Sequence, residues 1–324
     1  METVSSINSV VRAQERQFVR NLKGFAAPRI SPPLAVSLQA GSYYIFAATD
    51  IANAPLLTPR APGSPYKRQQ TRLSTDNYAC ENYGLEVDVA DEEREKYANF
   101  FQADIVKMRR GVDTTRINRE QRVVTLANTA PSANISTPWN DPAGNPKTDT
   151  DAVCEVIRNK TGNPKSAITM TINHPTFLAL QQHPKLADLF KLSVPNWANE
   201  DKLASYLGLR RVVVAYNIKA TNNEGQTFTA ADIWGNVAFF SVDDDGLGDL
   251  TLPCWSRTLY WDAMLPQVVA AEAQALAAEG APMVPPITSY REEHSKSVIH
   301  RIEDYTAEKI VCLDCGYLLN GCLV

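Results

Sequence analysis

The stretch Ala54-Pro-Leu-Leu-Thr-Pro-Arg-Ala-Pro-Gly-Ser-Pro-Tyr-Lys-Arg68 decides how the first third of the chain folds. Its four prolines and one glycine exclude a helix or a central strand and predict an exposed loop tip. Strand-like segments flank it, Tyr43-Tyr-Ile-Phe46 on one side and the alternating Tyr83-Gly-Leu-Glu-Val-Asp-Val89 on the other. The pattern of residues 34–90 therefore predicts one long two-stranded arm. Isolated hairpins are marginal in water, so we expect this arm to lie on a second subunit.

Residues 91–128 form the longest helical pattern of the chain. An apolar stripe at helical spacing runs through Tyr97, Phe101, Ile105, Met108 and Val112. The start is acidic and the later part is basic, which suits the helix dipole. Gly111 predicts a bend or a break. One narrow stripe on so charged a helix indicates that it lies across a thin layer and is not the buried centre of a globule.

Residues 1–26 predict a helical arm that ends before Pro28, Pro32 and Pro33. Four basic residues at helical spacing share one side of it: Arg12, Arg16, Arg20 and Lys23. Two interpretations stay open at this point. The basic side is either an ordinary solvated face or a surface that lies on a neighbouring subunit or on enclosed nucleic acid.

The remaining chain mixes short helices and strands, which is typical of a compact α/β unit around one sheet. Helices are predicted at 149–160, from His174 and at 203–207. Strands are predicted at 167–172, 211–216, 232–240, 289–302 and 310–319. An alanine-rich insertion, with one helix as an option, is predicted at 262–286.

Composition and motifs argue against a catalytic or membrane protein. Apolar residues make up 44% of the chain, enough for a core, and the net charge of −4 gives no support to nucleic-acid binding by the protein as a whole. No secretory signal and no run of 18 apolar residues occurs, so we expect folding in a reducing cytosol. Phosphate-binding loops, nucleophile elbows and zinc-protease motifs do not occur either. We therefore predict no enzyme activity, no cofactor and no metal, and we interpret Asp243–Asp249 as a solvated turn.

The C-terminal cysteines were a possible exception. A strand over 310–319 would place Cys312 and Cys315 on opposite faces, which opposes a shared metal. Plain buried thiols are the favoured interpretation, and metal or redox chemistry is the alternative.

The order of these parts resembles the Hong Kong 97-like capsid fold of tailed phages, which encapsulins also use. Four strings are similar to those of phage major capsid proteins: Trp139 with Asp141-Pro142, Ile172 to Pro184, Ile233-Trp-Gly-Asn-Val237, and Lys309 to Leu319. The similarity spans about residue 40 to the C-terminus.

That resemblance implies an α+β fold with four parts. They are an N-terminal arm (1–35), an extended loop (36–80), a peripheral domain (81–159 and 288–305) with a spine helix at about 91–128, and an α/β axial domain (160–287 and 306–324). It also implies a structural subunit that self-assembles into the icosahedral shell around the double-stranded DNA genome of a tailed phage.

Implied partners are other copies of the chain in hexamers and pentamers, scaffolding and portal proteins, a decoration protein in some shells, and packaged DNA by non-specific contact, with no membrane. The implied location is the virion, after assembly in the host cytoplasm. Two alternatives stay open: an encapsulin-type compartment, and a cytosolic α/β enzyme with a C-terminal thiol pair.

Charge suggests how neighbouring subunits would meet. The arm tip is basic through Arg60, Lys67, Arg68 and Arg72. The segment after the arm is acidic through Glu81, Glu86, Asp91, Glu92 and Glu93. We predict that the basic tip of one subunit lies near the acidic segment of the next. The alternative is that both are ordinary solvated surfaces.

Overall fold

A computed structural model describes residues 24–45, 59–66, 68, 74–98, 102–186, 199–222, 226–242, 254–262 and 285–323. Its helices are α1 (Ala27–Ile30), α2 (Asp91–Tyr97), α3 (Ala103–Ala127), α4 (Pro146–Thr161), α5 (His174–Gln182) and α6 (Glu200–Leu207). Its strands are β1 (Pro33–Val36), β2 (Ala40–Ile45), β3 (Ser74–Ala79), β4 (Glu81–Asn82), β5 (Leu85–Ala90), β6 (Ser132–Asn134), β7 (Ile168–Asn173), β8 (Arg211–Ala215), β9 (Ile218–Ala220), β10 (Ala230–Asp232), β11 (Val237–Val242), β12 (Ser256–Trp261), β13 (Ile287–Glu292), β14 (Ser297–Ile302), β15 (Tyr305–Ile310) and β16 (Gly316–Asn320). Within these residues, no helix has the length and apolar character needed to cross a bilayer.

The main core surrounds a five-stranded sheet in the order β6-β16-β11-β7-β8. Every residue of β7 is buried, as expected for a strand covered on both faces. Capping residues mark the ends of the helices beside it. The Asn173 side chain accepts a hydrogen bond from the Thr176 amide at 3.0 Å and caps α5. Gly208 ends α6 in the left-handed region, at φ 71°. The helices predicted at 149–160, from His174 and at 203–207 correspond to α4, α5 and α6, and the strands predicted at 167–172 and 211–216 correspond to β7 and β8.

A four-stranded sheet in the order β1-β12-β15-β4 contains strands from distant parts of the chain. Strand β1 runs parallel to β12, and β15 runs antiparallel to both β12 and β4. The sheet therefore joins the segment around residue 34 to segments around residues 82, 258 and 308.

Helix α3 crosses a three-stranded sheet in the order β13-β14-β5. A Cβ atom on Gly111 would lie 2.4 Å from Cδ1 of Ile302 and 2.9 Å from Cγ2 of Val87. Glycine at this position lets the helix approach the sheet closely, and α3 runs through Gly111 without the break that was one of the two predicted outcomes. The helical pattern is interrupted earlier, since α2 ends at Tyr97 and α3 begins at Ala103.

The predicted arm is present but shorter than expected. Strands β2 and β3 pair antiparallel from Ala40 opposite Ala79 to Ile45 opposite Ser74. Beyond Ala79 the chain leaves the arm, because β4 pairs with β15 and β5 pairs with β14. Long-range pairing, which local alternation cannot reveal, decides this outcome.

Three predicted strands prove to be two elements each. The segment 289–302 is a hairpin of β13 and β14 whose turn contains Lys296 at φ 46°. The segment 232–240 contains the end of β10 and the start of β11. The segment 310–319 is broken by a 3₁₀ turn, Leu313–Cys315, so the two cysteines do not occupy opposite faces of one strand.

Some predictions lie outside the described residues. These are the N-terminal arm with Arg12, Arg16, Arg20 and Lys23, the turn after Val242, most of the insertion at 262–286, and the tip residues Lys67 and Arg72.

Candidate inter-subunit surfaces

The two-stranded arm is fixed to the rest of the chain at its root. Tyr43 and Tyr78 pack with Cys80, Leu259 and Ala307 in a small separate core. The Tyr43 hydroxyl lies 3.1 Å from the carbonyl oxygen of Ile310 and 3.2 Å from Oδ2 of Asp76. Burial and the neighbouring Asp76 carboxylate raise the pKa of Tyr43, so the hydroxyl stays protonated and can donate.

Further from the root, the arm is exposed on both faces. Four consecutive residues of β3, Ser74 to Asn77, are all exposed. The tip carries Tyr66, which is 78% exposed, with the Arg60 guanidinium 4.3 Å from its ring centroid. Arg60 and Arg68 are also exposed. A two-stranded ribbon with so little cover within its own chain is stable only when another surface supports it.

The acidic segment is partly neutralised within its own chain. Asp91 receives a bidentate pair from Arg291, with both distances 2.7 Å, and this pairing lowers the pKa of Asp91. Glu86 accepts from Nε of Arg301 at 2.7 Å, and Glu93 pairs with Lys107. Glu81 and Glu92 are exposed. These two residues are therefore the best placed of the five to meet a basic partner.

A charged network is buried where α3 crosses β15. Asp304 is 1% exposed and pairs with both Arg119 and Arg122. Arg122 also reaches Oε1 of Glu308 at 2.9 Å, and its guanidinium lies 3.8 Å from the ring centroid of Tyr83. From the sequence they were assigned only to the basic later part of the helix, and their burial was not predicted. Buried Arg119 and half-buried Arg122 tie α3 to the four-stranded sheet.

Glu120 is a second buried charge that the sequence interpretation missed. Its side chain is fully buried and its two oxygens accept three hydrogen bonds, from the Ala26 amide (3.0 Å), the Ala27 amide (2.9 Å) and Nε1 of Trp234 (2.5 Å). It thus joins the start of α1, the middle of α3 and the loop before β11.

The spacing of residues along α3 contained a signal for the burial of Glu120 and Arg116, but not for Arg119 or Arg122. From Val112 the apolar stripe continues in steps of four or three to Arg116, Glu120, Val123 and Ala127, and all of these residues are buried. Charged residues that continue an apolar stripe are candidates for buried, paired groups.

No site for metal chemistry is visible in the part of the chain that the structure describes, since no group of three or more His, Cys, Asp or Glu side chains could hold an ion. All six cysteines are buried, and none of them forms a disulfide.

Comparison with known proteins finds relatives through structure alone. No family model matches the chain, and no curated protein matches it. A phage-related protein from Bordetella bronchiseptica RB50 superposes with a TM-score of 0.70 at 17% identity, covering 98% of this chain and 97% of that one. The capsid of the cyanophage P-SCSP1u gives a TM-score of 0.59 at 9% identity, covering 91% and 87%. A virus-like particle from Pyrococcus furiosus gives 0.54 at 10% identity, covering 97% and 99%.

These matches extend over nearly the whole length of both chains, so they concern the entire architecture and not one shared sheet. The chain has the Hong Kong 97-like fold of phage capsid proteins.

Proposed function

We propose that this chain is a structural subunit, not an enzyme, that self-assembles into the icosahedral shell around the double-stranded DNA genome of a tailed phage. The observation that carries the proposal is the arm of β2 and β3. Among its described residues, the arm packs against the rest of the chain through the cluster at its root, and Ser74 to Asn77 of β3 are all exposed. Such an element acquires a stable environment when it lies on a neighbouring copy, and a closed shell supplies that neighbour around every subunit.

The proposal assigns a role to each part of the subunit. Residues 36–80 overlap an adjacent subunit, residues 81–159 and 288–305 form the peripheral part around the spine helix, and residues 160–287 and 306–324 form the axial part near the capsomer centre. Residues 1–35 form the N-terminal arm. Scaffolding, portal and decoration proteins, hexameric and pentameric capsomers, and packaged DNA would then be partners of the assembled virion, built in the host cytoplasm.

Microscopy of the expressed protein tests the proposal directly. Size-exclusion chromatography and negative-stain images of the purified full chain should show large, uniform, closed particles or ring-shaped capsomers. A stable monomer at high concentration, with a melting temperature that rises with a small-molecule substrate, would instead support the enzyme alternative.

An encapsulin-type compartment is the second candidate, because a virus-like particle from Pyrococcus furiosus shares the fold and shows that shells of this architecture are not restricted to structures named as phage capsids. Both candidates predict shells. They differ in content, because a phage shell receives its genome through a portal, whereas a compartment encloses protein cargo. Nuclease-protected DNA of uniform length in particles from the native source supports the phage role, and co-purified enzyme cargo supports the compartment.

We further propose that charge guides the contact between the arm tip and the acidic segment of the next subunit. Arg60 and Arg68 are exposed in the isolated chain, as are Glu81 and Glu92. Lys67 and Arg72 add positive charge to the same stretch of sequence. Contacts of this kind act over about 10 Å at about 0.1 M ionic strength and mainly accelerate association.

A reversal experiment separates this idea from simple loss of structure. The triple variant Lys67→Glu, Arg68→Glu, Arg72→Glu should assemble slowly or not at all, as measured by light scattering. Adding Glu81→Lys and Glu92→Lys should restore assembly if the two surfaces meet. The matched control Lys67→Arg, Arg68→Lys, Arg72→Lys keeps the charge and should behave as wild type. Normal shells from the triple reversal would refute the charge contact while leaving the shell proposal intact.

A further inference from the structure

The turn between β15 and β16 brings two cysteines together. The Cys315 amide donates to the Cys312 carbonyl oxygen at 3.2 Å and closes the 3₁₀ turn Leu313–Cys315. Turns of this type hold the first and fourth Cα atoms within about 7 Å, and disulfides span Cα distances of about 4.4 to 6.8 Å. The two side chains are hydrogen-bonded to each other. The backbone therefore already holds the pair at a separation that a disulfide can bridge.

The surroundings make the two thiols chemically unequal. The Cys315 thiol, together with the amides of Cys315 and Asp314, donates toward the Cys312 sulfur and holds the pKa of Cys312 below its ordinary value. The hydrogen bond to Cys312, and then burial, raise the pKa of Cys315 well above its ordinary value. Cys312 is thus the nucleophile of the pair and Cys315 is its proton donor.

Three further thiols, those of Cys80, Cys154 and Cys322, differ from this pair. Burial raises the pKa of Cys80 to about 11, of Cys154 to about 11 and of Cys322 to about 12. Thiols of that kind are inert, because the thiolate is the reacting form.

We propose that Cys312 and Cys315 form a built-in redox site that closes to an intramolecular disulfide when the protein meets a small disulfide oxidant such as oxidised glutathione. The Cys312 thiolate attacks one sulfur of the oxidant, forms a mixed disulfide and releases one glutathione thiolate. Cys315 then loses its proton and attacks the Cys312 sulfur, which releases the second glutathione. The protein loses two hydrogens and two electrons, and the oxidant becomes two thiols.

The turn lies under helix α4, and Nζ of Lys160 bridges to Oδ1 of Asp314 at 2.7 Å. Both thiols are fully buried. Entry of the oxidant therefore requires a local opening of the turn, where Leu313 is already 46% exposed. The proposed redox site does not depend on the proposed shell function, because disulfide formation is measured on the polypeptide itself and not on assembled particles.

Mass spectrometry after oxidation tests the proposal. The native full chain is incubated with excess oxidised glutathione, acid-quenched, unfolded and alkylated. We expect the number of alkylated cysteines to fall from six to four. The peptide Ile310–Tyr317 should carry no alkyl group and should be two hydrogens lighter than its reduced, unalkylated form. Cleavage after Tyr317 separates this pair from Cys322, and added dithiothreitol should restore all six thiols.

Two variants test the order of attack. Cys315→Ser should retain glutathione on Cys312, whereas Cys312→Ser should leave Cys315 unmodified, with circular dichroism confirming that each variant is folded. The proposal is overturned if both thiols of the native wild-type chain remain alkylatable, or if Cys315 pairs with Cys254 instead.

Discussion

At the residue scale, Glu120 connects parts of the chain that are far apart in sequence. Its carboxylate accepts hydrogen bonds from three buried N–H donors, two at the start of α1 and one on Trp234. From the sequence it was an ordinary charge on a helix face, since its donors are 93 residues or more away along the chain. Periodicity could place it on the buried stripe, but it could not identify its partners.

Replacing Glu120 by alanine should destabilise the subunit by about 3 to 5 kcal/mol, because it leaves three buried donors without an acceptor. Urea denaturation of the unassembled chain measures this effect. Glu155→Ala is the matched control, because Glu155 is exposed and pairs only within its own helix, with Arg158. We expect that control to change stability by less than about 0.5 kcal/mol. A Glu120→Ala variant as stable as the control would contradict the assigned role.

The same residue should make stability depend on pH. Burial raises the pKa of Glu120 in the folded chain, against the opposing effect of its three hydrogen bonds. The folded chain therefore binds this proton more tightly than the unfolded chain does. The resulting stabilisation is complete below the unfolded pKa, about 4.3, and is lost as pH rises through the folded value.

Denaturation at several pH values from 4 to 8 checks this sign. Wild type should lose stability relative to Glu120→Gln as pH rises, because glutamine cannot titrate. A difference that stays constant, or that changes in the opposite direction, would show that the hydrogen bonds outweigh burial.

At the element scale, local signals located most helices and strands, and long-range pairing decided the rest. Asn173, Gly162 and Gly208 mark helix ends by their own chemistry, so α4, α5 and α6 could be predicted. The partner of β5 could not, because alternation shows which face is buried but not which strand lies alongside. Gly111 illustrates the same limit: its role is set by Ile302, on a strand that is distant in sequence.

Gly111→Ala should therefore destabilise the subunit by about 1 to 3 kcal/mol, although alanine is the better helix former by about 1 kcal/mol. The added methyl group would displace Ile302 and Val87. Asn118→Ala, at an exposed position of the same helix, serves as the control and should be neutral or slightly stabilising. Thermal unfolding measures both, and the double variant Gly111→Ala, Ile302→Val should recover part of the loss. A stabilising Gly111→Ala would show that the helix does not approach the sheet this closely.

At the scale of the whole molecule, the outer part of the arm can be removed while the rest of the fold is kept. Ile45 and Ser74 lie directly opposite each other, so an Asn-Gly turn can replace residues 46–73 and close a two-residue hairpin. The root contacts of Tyr43 and Tyr78 are retained. We expect stability within about 1 kcal/mol of wild type, because loop length costs little, but no closed shells.

Sedimentation and microscopy check this outcome, with a Gly/Ser segment of the original length as the control for chain length alone. We expect that control to fail in assembly as well. Regular shells from the shortened chain would show that the arm is dispensable and that other surfaces hold the subunits together.

Strand β16 lies inside the five-stranded sheet, between β6 and β11, although it is formed by residues 316–320. A nascent chain therefore has an unpaired edge on β11 until residues 316–320 have been synthesised. Unpaired edges of this kind can pair with other chains, so the chain is prone to aggregate at this stage. A product that stops before residue 316 has β6 and β11 without the strand that joins them, so its main sheet is incomplete.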